Sequence, residues 1–207
     1  LALGQTARAR RALTPVPEGT TVGVLRRGVI ECRIDRPDGP AALARLQALA
    51  PVAALEIPVN RLAWQVALPE FQPGEQAQET CRQVEVEATR LELDAIALQA
   101  TIRRADALRR SGRHRAAADL AAVAQRGLDA GCHPHDMSIA EFCWLAGQVF
   151  AAASRRRAAA AVLERGLAWV ERVARDELPD ALRDAFLHRH PVHRAMRAAA
   201  AEHARRR

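Results

Sequence analysis

Lysine and tyrosine are both absent from this 207-residue sequence. All 31 basic residues are therefore arginine, and against 24 acidic residues they leave a formal charge of +7. Such a balance invites a nucleic-acid partner. The excess is spread along the chain, however, and an arginine-only skew fits a GC-rich coding bias. Clusters at Arg8–Arg11, Arg155–Arg157 and Arg205–Arg207 read as solvated helix faces or termini. Aromatic residues make up only 3%, so the expected core is built by close helix approach through small side chains rather than by large rings. No apolar run reaches the roughly 18 residues of a membrane span; the Ala198–Ala201 tract is short and flanked by arginine. There is no signal peptide, and Cys32, Cys81, Cys132 and Cys143 form no C-x-x-C pair. They read as reduced, buried thiols in a cytoplasmic chain. The phosphate loop GxxxxGK[ST], the dinucleotide fingerprint GxGxxG and the nucleophile elbow GxSxG are also missing.

What is present is a repeat. Between Trp144 and Ala168, Gly147 and Phe150 precede a turn at Ser154–Arg157, followed by Ala158, Ala159, Leu163 and Gly166. Between Ile102 and Leu128, Ala105 and Leu108 precede a turn at Ser111–Arg115, followed by Ala116, Ala117, Ala121 and Ala124. Arg115 aligns with Arg157, an offset of 42 residues. Small residue, bulky residue, turn, alanine and small residue is the spacing of two helices packed as an antiparallel hairpin. The fold class expected is all-α, an α-solenoid of helical hairpins.

Read in order, Gln5–Leu13 looks like the end of a helix stopped by Pro15 and Pro17. Thr21–Ile34 fits strand or helix; the turn at Asp35–Gly39 and Pro40 opening a helix through Leu49 favour a degenerate first hairpin. Leu62, Trp64, Val66 and Leu68 alternate in a strand-like way, against the all-helical reading. From Glu75 to Arg110 the chain is almost free of breakers and reads as one long helix or as two with an unmarked kink, a break near Asp94–Ala100 fitting the repeat length better. His114–Ala130 is the next helix, with Gly131 as its C-cap, and Ser138 with Glu141 forms a capping box for the helix after it. Arg157–Val173 is that helix's partner. Pro179 starts a further helix, Pro191 breaks it, and Val192–Arg205 closes the chain.

The polar clusters carry little reactive chemistry. Cys132, His133, His135 and Asp136 offer four potential metal ligands within five residues, but no second pair lies at finger-like spacing. His188, His190 and His193 flank a proline and read as polar residues at a helix end. Ser111, Ser138 and Ser154 sit at turns or caps, and Glu85 with Glu87 or Asp176 with Glu177 reads as an exposed acidic pair. Trp64, Trp144 and Trp169 are rings on which a ligand could stack, but Trp144 and Trp169 fall within the hairpin helices and read as packing residues. The expectation is a non-enzymatic chain with no catalytic, cofactor or metal residues.

The hairpins resemble tetratricopeptide repeats in the longer-helix form of large bacterial signalling proteins. The tail Glu177–Arg194, with Arg183, Phe186, Leu187, Pro191, Val192 and Arg194 at its centre, is similar to the closing segment of the repeat region in STAND-type ATPase regulators. Those are often linked to LuxR-type or winged-helix DNA-binding domains. The resemblance implies residues 1–100 as degenerate N-terminal hairpins and residues 101–207 as two tetratricopeptide-like hairpins plus a C-terminal cap, with Leu178, Leu182 and Phe186 on the capping face. It further implies a cytoplasmic protein–protein interaction or sensor segment whose partner is a protein, a peptide or an ATPase domain of the same parent. A nucleic-acid-binding helical module is the alternative, disfavoured by the long connector between Leu128 and Met137. Because the sequence begins with Leu1 and opens mid-pattern, a piece of a longer chain is expected.

Overall fold

A computed structural model of the chain describes residues 20–35 and 39–205, together with Ala9. The expected helix end at Gln5–Leu13 lies outside the described residues apart from Ala9, as does the centre of the turn at Asp35–Gly39. Eleven helices are described, and there is no strand among the described residues. They are α1 (Thr21–Asp35), α2 (Gly39–Gln47), α3 (Ala50–Ala54), α4 (Pro58–Gln65), α5 (Gly74–Arg90), α6 (Asp94–Arg110), α7 (His114–Asp129), α8 (Ile139–Ala152), α9 (Arg156–Asp176), α10 (Asp180–Arg189) and α11 (Pro191–Arg205). A single 3₁₀ turn, Leu68–Glu70, joins α4 toward α5.

Thr21–Ile34 is helical, as the hairpin reading required. The strand-like alternation of Leu62, Trp64, Val66 and Leu68 is corrected: these residues occupy α4 and the turns after it. The alternation has a helical cause. Leu62 and Val66, four apart, pack into a cluster with Val84, Ala88, Ile96 and Ala100. Trp64 and Leu68, also four apart, pack into another with Leu25, Cys32, Ala42 and Leu46. Two helical stripes on different sides of one short helix interleave into an apparent period of two.

The turns between helices are built alike. Glu92, Gly112 and Ser154 take φ of 57°, 76° and 60°. The following residues, Leu93, Arg113 and Arg155, donate their N–H groups to Ala88, Leu108 and Phe150 carbonyls at 2.9, 2.9 and 2.8 Å. This is the Schellman closure, which satisfies carbonyls a helix end would otherwise leave bare. The break in Glu75–Arg110 therefore falls at Leu91–Leu93, just ahead of the expected window, because Glu92 rather than a glycine takes the left-handed position. Gly131, with φ 90°, ends α7 in the same way. Ser138 Oγ accepts from Glu141 N–H while the Glu141 carboxylate accepts from Ser138 N–H, so the capping box of α8 is present.

Helix α6 is the central element. It packs against α5, α7 and α8, while α7 also packs on α8, α8 on α9, and α11 on α9. Ala100, Ala105 and Ala107 on α6 and Ala117, Ala118 and Ala121 on α7 are completely buried, so small side chains set the close approach. In the later hairpin Gly147 lies against Leu163, and Gly166 against Cys143 and Met196. The large C-terminal cluster runs from Leu98 to Met196 and includes Phe186 of α10. No helix among the described residues is long and apolar enough to cross a membrane.

Candidate functional site

Beneath α1 lies a cavity of about 220 Å³. Val22, Leu25, Val29 and Ile30 of α1 form one wall, Ala63 and Trp64 of α4 another, and Gln99 of α6 with Asp136 of the α7–α8 connector the third. The connector is pinned in place by α6. His135 N–H donates to the Ala95 carbonyl at 3.3 Å, and Asp136 N–H donates to Gln99 Oε1 at 2.8 Å.

Two polar side chains beside this cavity are unusual. Gln99 is fully buried and Trp64 is 7% exposed, yet neither Gln99 Nε2 nor Trp64 Nε1 has a hydrogen-bond acceptor. The amide orientation of Gln99 follows from its bond to Asp136 N–H, which requires an acceptor oxygen at that end. A buried donor left without a partner costs about 1–3 kcal/mol, so two of them on one wall mark a place where an acceptor is missing.

Next to them, Arg33 of α1 and Arg103 of α6 both donate to Glu70 in the 3₁₀ turn. Side-chain exposures are 26% for Arg33, 21% for Glu70 and 12% for Arg103. Burial alone would push the Glu70 carboxyl up, but Arg103 and Arg33 outweigh it and hold it below the ordinary carboxylate value. For Arg33, burial works downward and the Glu70 charge prevails, so its pKa rises. Glu70 and Arg33 are therefore both charged at neutral pH. Arg110 adds bonds of 2.9 Å to the Gln72 and Pro69 carbonyls, so α6 grips the whole turn. Arg103 Nε is a third buried donor with no acceptor.

The polar clusters noted in the sequence are dispersed or put to structural use. His133, His135 and Asp136 are exposed and Cys132 is half-buried; His135 Nε2 is 3.8 Å from Asp136. No group of three or more His, Cys, Asp or Glu side chains among the described residues could hold a metal ion. His193 is buried, its Nδ1–H donating to the Phe186 carbonyl at 2.8 Å with its ring edge-on to Phe186. His190 stacks against it at 4.2 Å, while His188 is exposed. Glu85 accepts from Thr101 and Arg104, and Glu87 from Arg61. Asp176 pairs with Arg175 and Glu177 with Arg172. Ser111 caps α6, and Ser154 is a turn residue. Trp144 and Trp169 are half-buried against the C-terminal core. The thiols of Cys81 and Cys143 are pushed up to about 12 by burial, which leaves them inert as nucleophiles.

Sequence reasoning offered Trp64 as a ring that a ligand could stack on and passed over Gln99. One signal was available: Gln99 interrupts an apolar run between Leu98 and Ile102, a polar residue at a core position. The fold and its cavity thus define an all-helical protein with a partly polar site between its N-terminal helices and α6. Compared with known proteins, the chain matches no family model, no curated protein and no solved structure.

Proposed function

We propose that the chain is a non-catalytic protein–protein interaction or sensor segment, an α-solenoid of tetratricopeptide-like hairpins in a cytoplasmic bacterial signalling or transcriptional regulator. The observation that carries this reading is the recurrence of one turn geometry at Glu92, Gly112 and Ser154. The packing of α6 on both α7 and α8 adds to it, since each hairpin then rests on the next. Helix α8 supplies a docking stripe: Trp144, Leu145 and Gln148 are only half-buried and fall on one side at helical spacing. A partner peptide or a neighbouring domain of the same parent would lay an apolar side chain against Trp144 and Leu145.

A photo-crosslinking residue tests the proposal in the native host. Placed at Leu145, it is expected to yield one discrete protein or parent-domain adduct, and none when placed at the exposed Thr89 of α5. Equal labelling from both positions, or no adduct from Leu145, overturns it.

A further inference from the structure

We infer that the edge of the molecule carrying the α6–α7 and α8–α9 turns binds the phosphate backbone of a nucleic-acid duplex without reading its bases. The two turns present matching positions: Arg113, His114 and Arg115 at the start of α7, and Arg155, Arg156 and Arg157 at the start of α9. All six are exposed. Helix α8 packs on both α6 and α7, and Arg155 Nη2 donates to Asp119 of α7 at 2.5 Å, so the turns lie side by side. Packed helices stand about 10 Å apart, close to the rise of three phosphates along one strand at about 3.4 Å each.

Charge selects a polyanion. Arg109 and Arg110 at the end of α6 join the five arginines of the turns, and against these seven stand Asp106, Asp119 and Glu75. Glu75 belongs here because α5 starts beside Ser111; Glu79, one turn on, is matched by Arg82 of its own helix. Among the described residues the edge therefore keeps an excess of four positive charges. Asp106 holds Arg109 and Arg110, and Asp119 holds Arg155. Arg115, Arg156 and Arg157 have no acidic partner among the described residues. The arrangement works against stability of the free chain. Helices α7 and α9 have no acidic residue in the first turn and no side-chain cap, and arginine there faces the positive end of the helix dipole. A phosphate strand laid along the edge supplies the missing countercharge, and the planar guanidinium fork suits phosphate oxygens. The exposed large apolar residues Leu55, Ile57, Val86 and Val123 all lie outside the two turns. The edge thus offers no apolar wedge for a lipid surface and no aromatic platform for unstacked single strands. This inference goes beyond docking at α8, since Trp144, Leu145 and Gln148 are not among these residues.

Fluorescence anisotropy of short labelled DNA and RNA duplexes, titrated with the full chain in about 0.1 M salt, tests it. At least one duplex is expected to bind with a Kd of about 1–100 µM, and the tighter of the two identifies the source. Arg156→Gln combined with Arg157→Gln should weaken binding about tenfold and reduce the slope of log K against log salt by about 2. Both side chains are exposed, so the variant keeps its fold. Arg90→Gln combined with Arg126→Gln makes the same change in net charge away from the turns and should leave affinity within about twofold. No binding by about 100 µM chain, equal loss in the two double variants, or tighter binding of a single strand than of either duplex overturns the inference. So does competition by poly-glutamate as effective as that of unlabelled duplex, which would point to an acidic protein instead. Leu145→Ala is expected to leave duplex binding unchanged, which separates this result from any failure of docking at α8.

Discussion

Gly112 and Ser154 hold the same place in the same turn, each in the left-handed region between two long helices, with φ of 76° and 60°. Only one of them is a glycine, and that difference gives a stability prediction. A non-glycine residue in this region costs about 1–2 kcal/mol, whereas glycine forfeits part of that advantage in the entropy of the unfolded chain. Ser154→Gly should therefore stabilise the chain by about 0.5–1 kcal/mol, and Gly112→Ala should destabilise it by about 1 kcal/mol. Urea unfolding of both variants checks the pair.

Gly166 tests the packing of α9 against its neighbours. A Cβ there would stand 2.7 Å from Cys143 Cβ and would collide with the end of Met196. Met196 can yield, but Cys143 Cβ is anchored to the α8 backbone. The strain exceeds the roughly 1 kcal/mol that alanine gains over glycine in a helix, and Gly166→Ala should lose about 1–2 kcal/mol net. The same denaturation assay reads the loss.

Removing the carboxylate between Arg33 and Arg103 leaves two half-buried guanidinium groups facing each other. Glu70→Gln should cost about 3 kcal/mol at neutral pH. The folded pKa of Glu70 is depressed, so its contribution is fully present above the ordinary glutamate value of 4.5 and is lost as pH falls below that, through the folded value. Urea midpoints measured between neutrality and pH 3 should show an acid-dependent loss in the parent chain that is reduced in Glu70→Gln.

His193 gives a second pH dependence at a different place. Burial lowers its pKa from 6.5 despite the opposing pull of the Phe186 carbonyl. A base with a depressed folded pKa stabilises the fold fully above its unfolded value, and this is lost as pH falls from about 6.5 through the folded value. Glu141 draws the proton on and Arg197 repels it, and neither reverses the direction. His193→Asn keeps a donor for the Phe186 carbonyl and should flatten the stability profile between neutrality and pH 5, at a cost of about 1–2 kcal/mol in lost packing. Thermal unfolding across that range is the measurement.

The two hairpins around Ser111 and Ser154 were legible in the sequence because a turn and small residues at close-approach positions are local signals. The capping box at Ser138 was legible for the same reason. The break at Leu91–Leu93 was not, since Glu92 adopts a glycine-like conformation without a glycine to announce it. The α4 segment misled because its period reports two neighbours at once. The cavity was out of reach altogether: Trp64, Gln99 and Asp136 are ordinary residues until α1, α4, α6 and the connector bring them together. Only the completed packing reveals that two donors there lack an acceptor.

Helix α4 divides its burial between two clusters, with Leu62 and Val66 in one and Trp64 and Leu68 in the other. The N-terminal helices are therefore no detachable extension of the later hairpins. Stripping away α1 and α2 would strand Trp64 and Leu68 in water while Leu62 and Val66 stayed packed, leaving α4 as a party wall with one house gone. Unfolding of the N-terminal part should consequently spread through α4 to α5 and α6 rather than stop at a boundary.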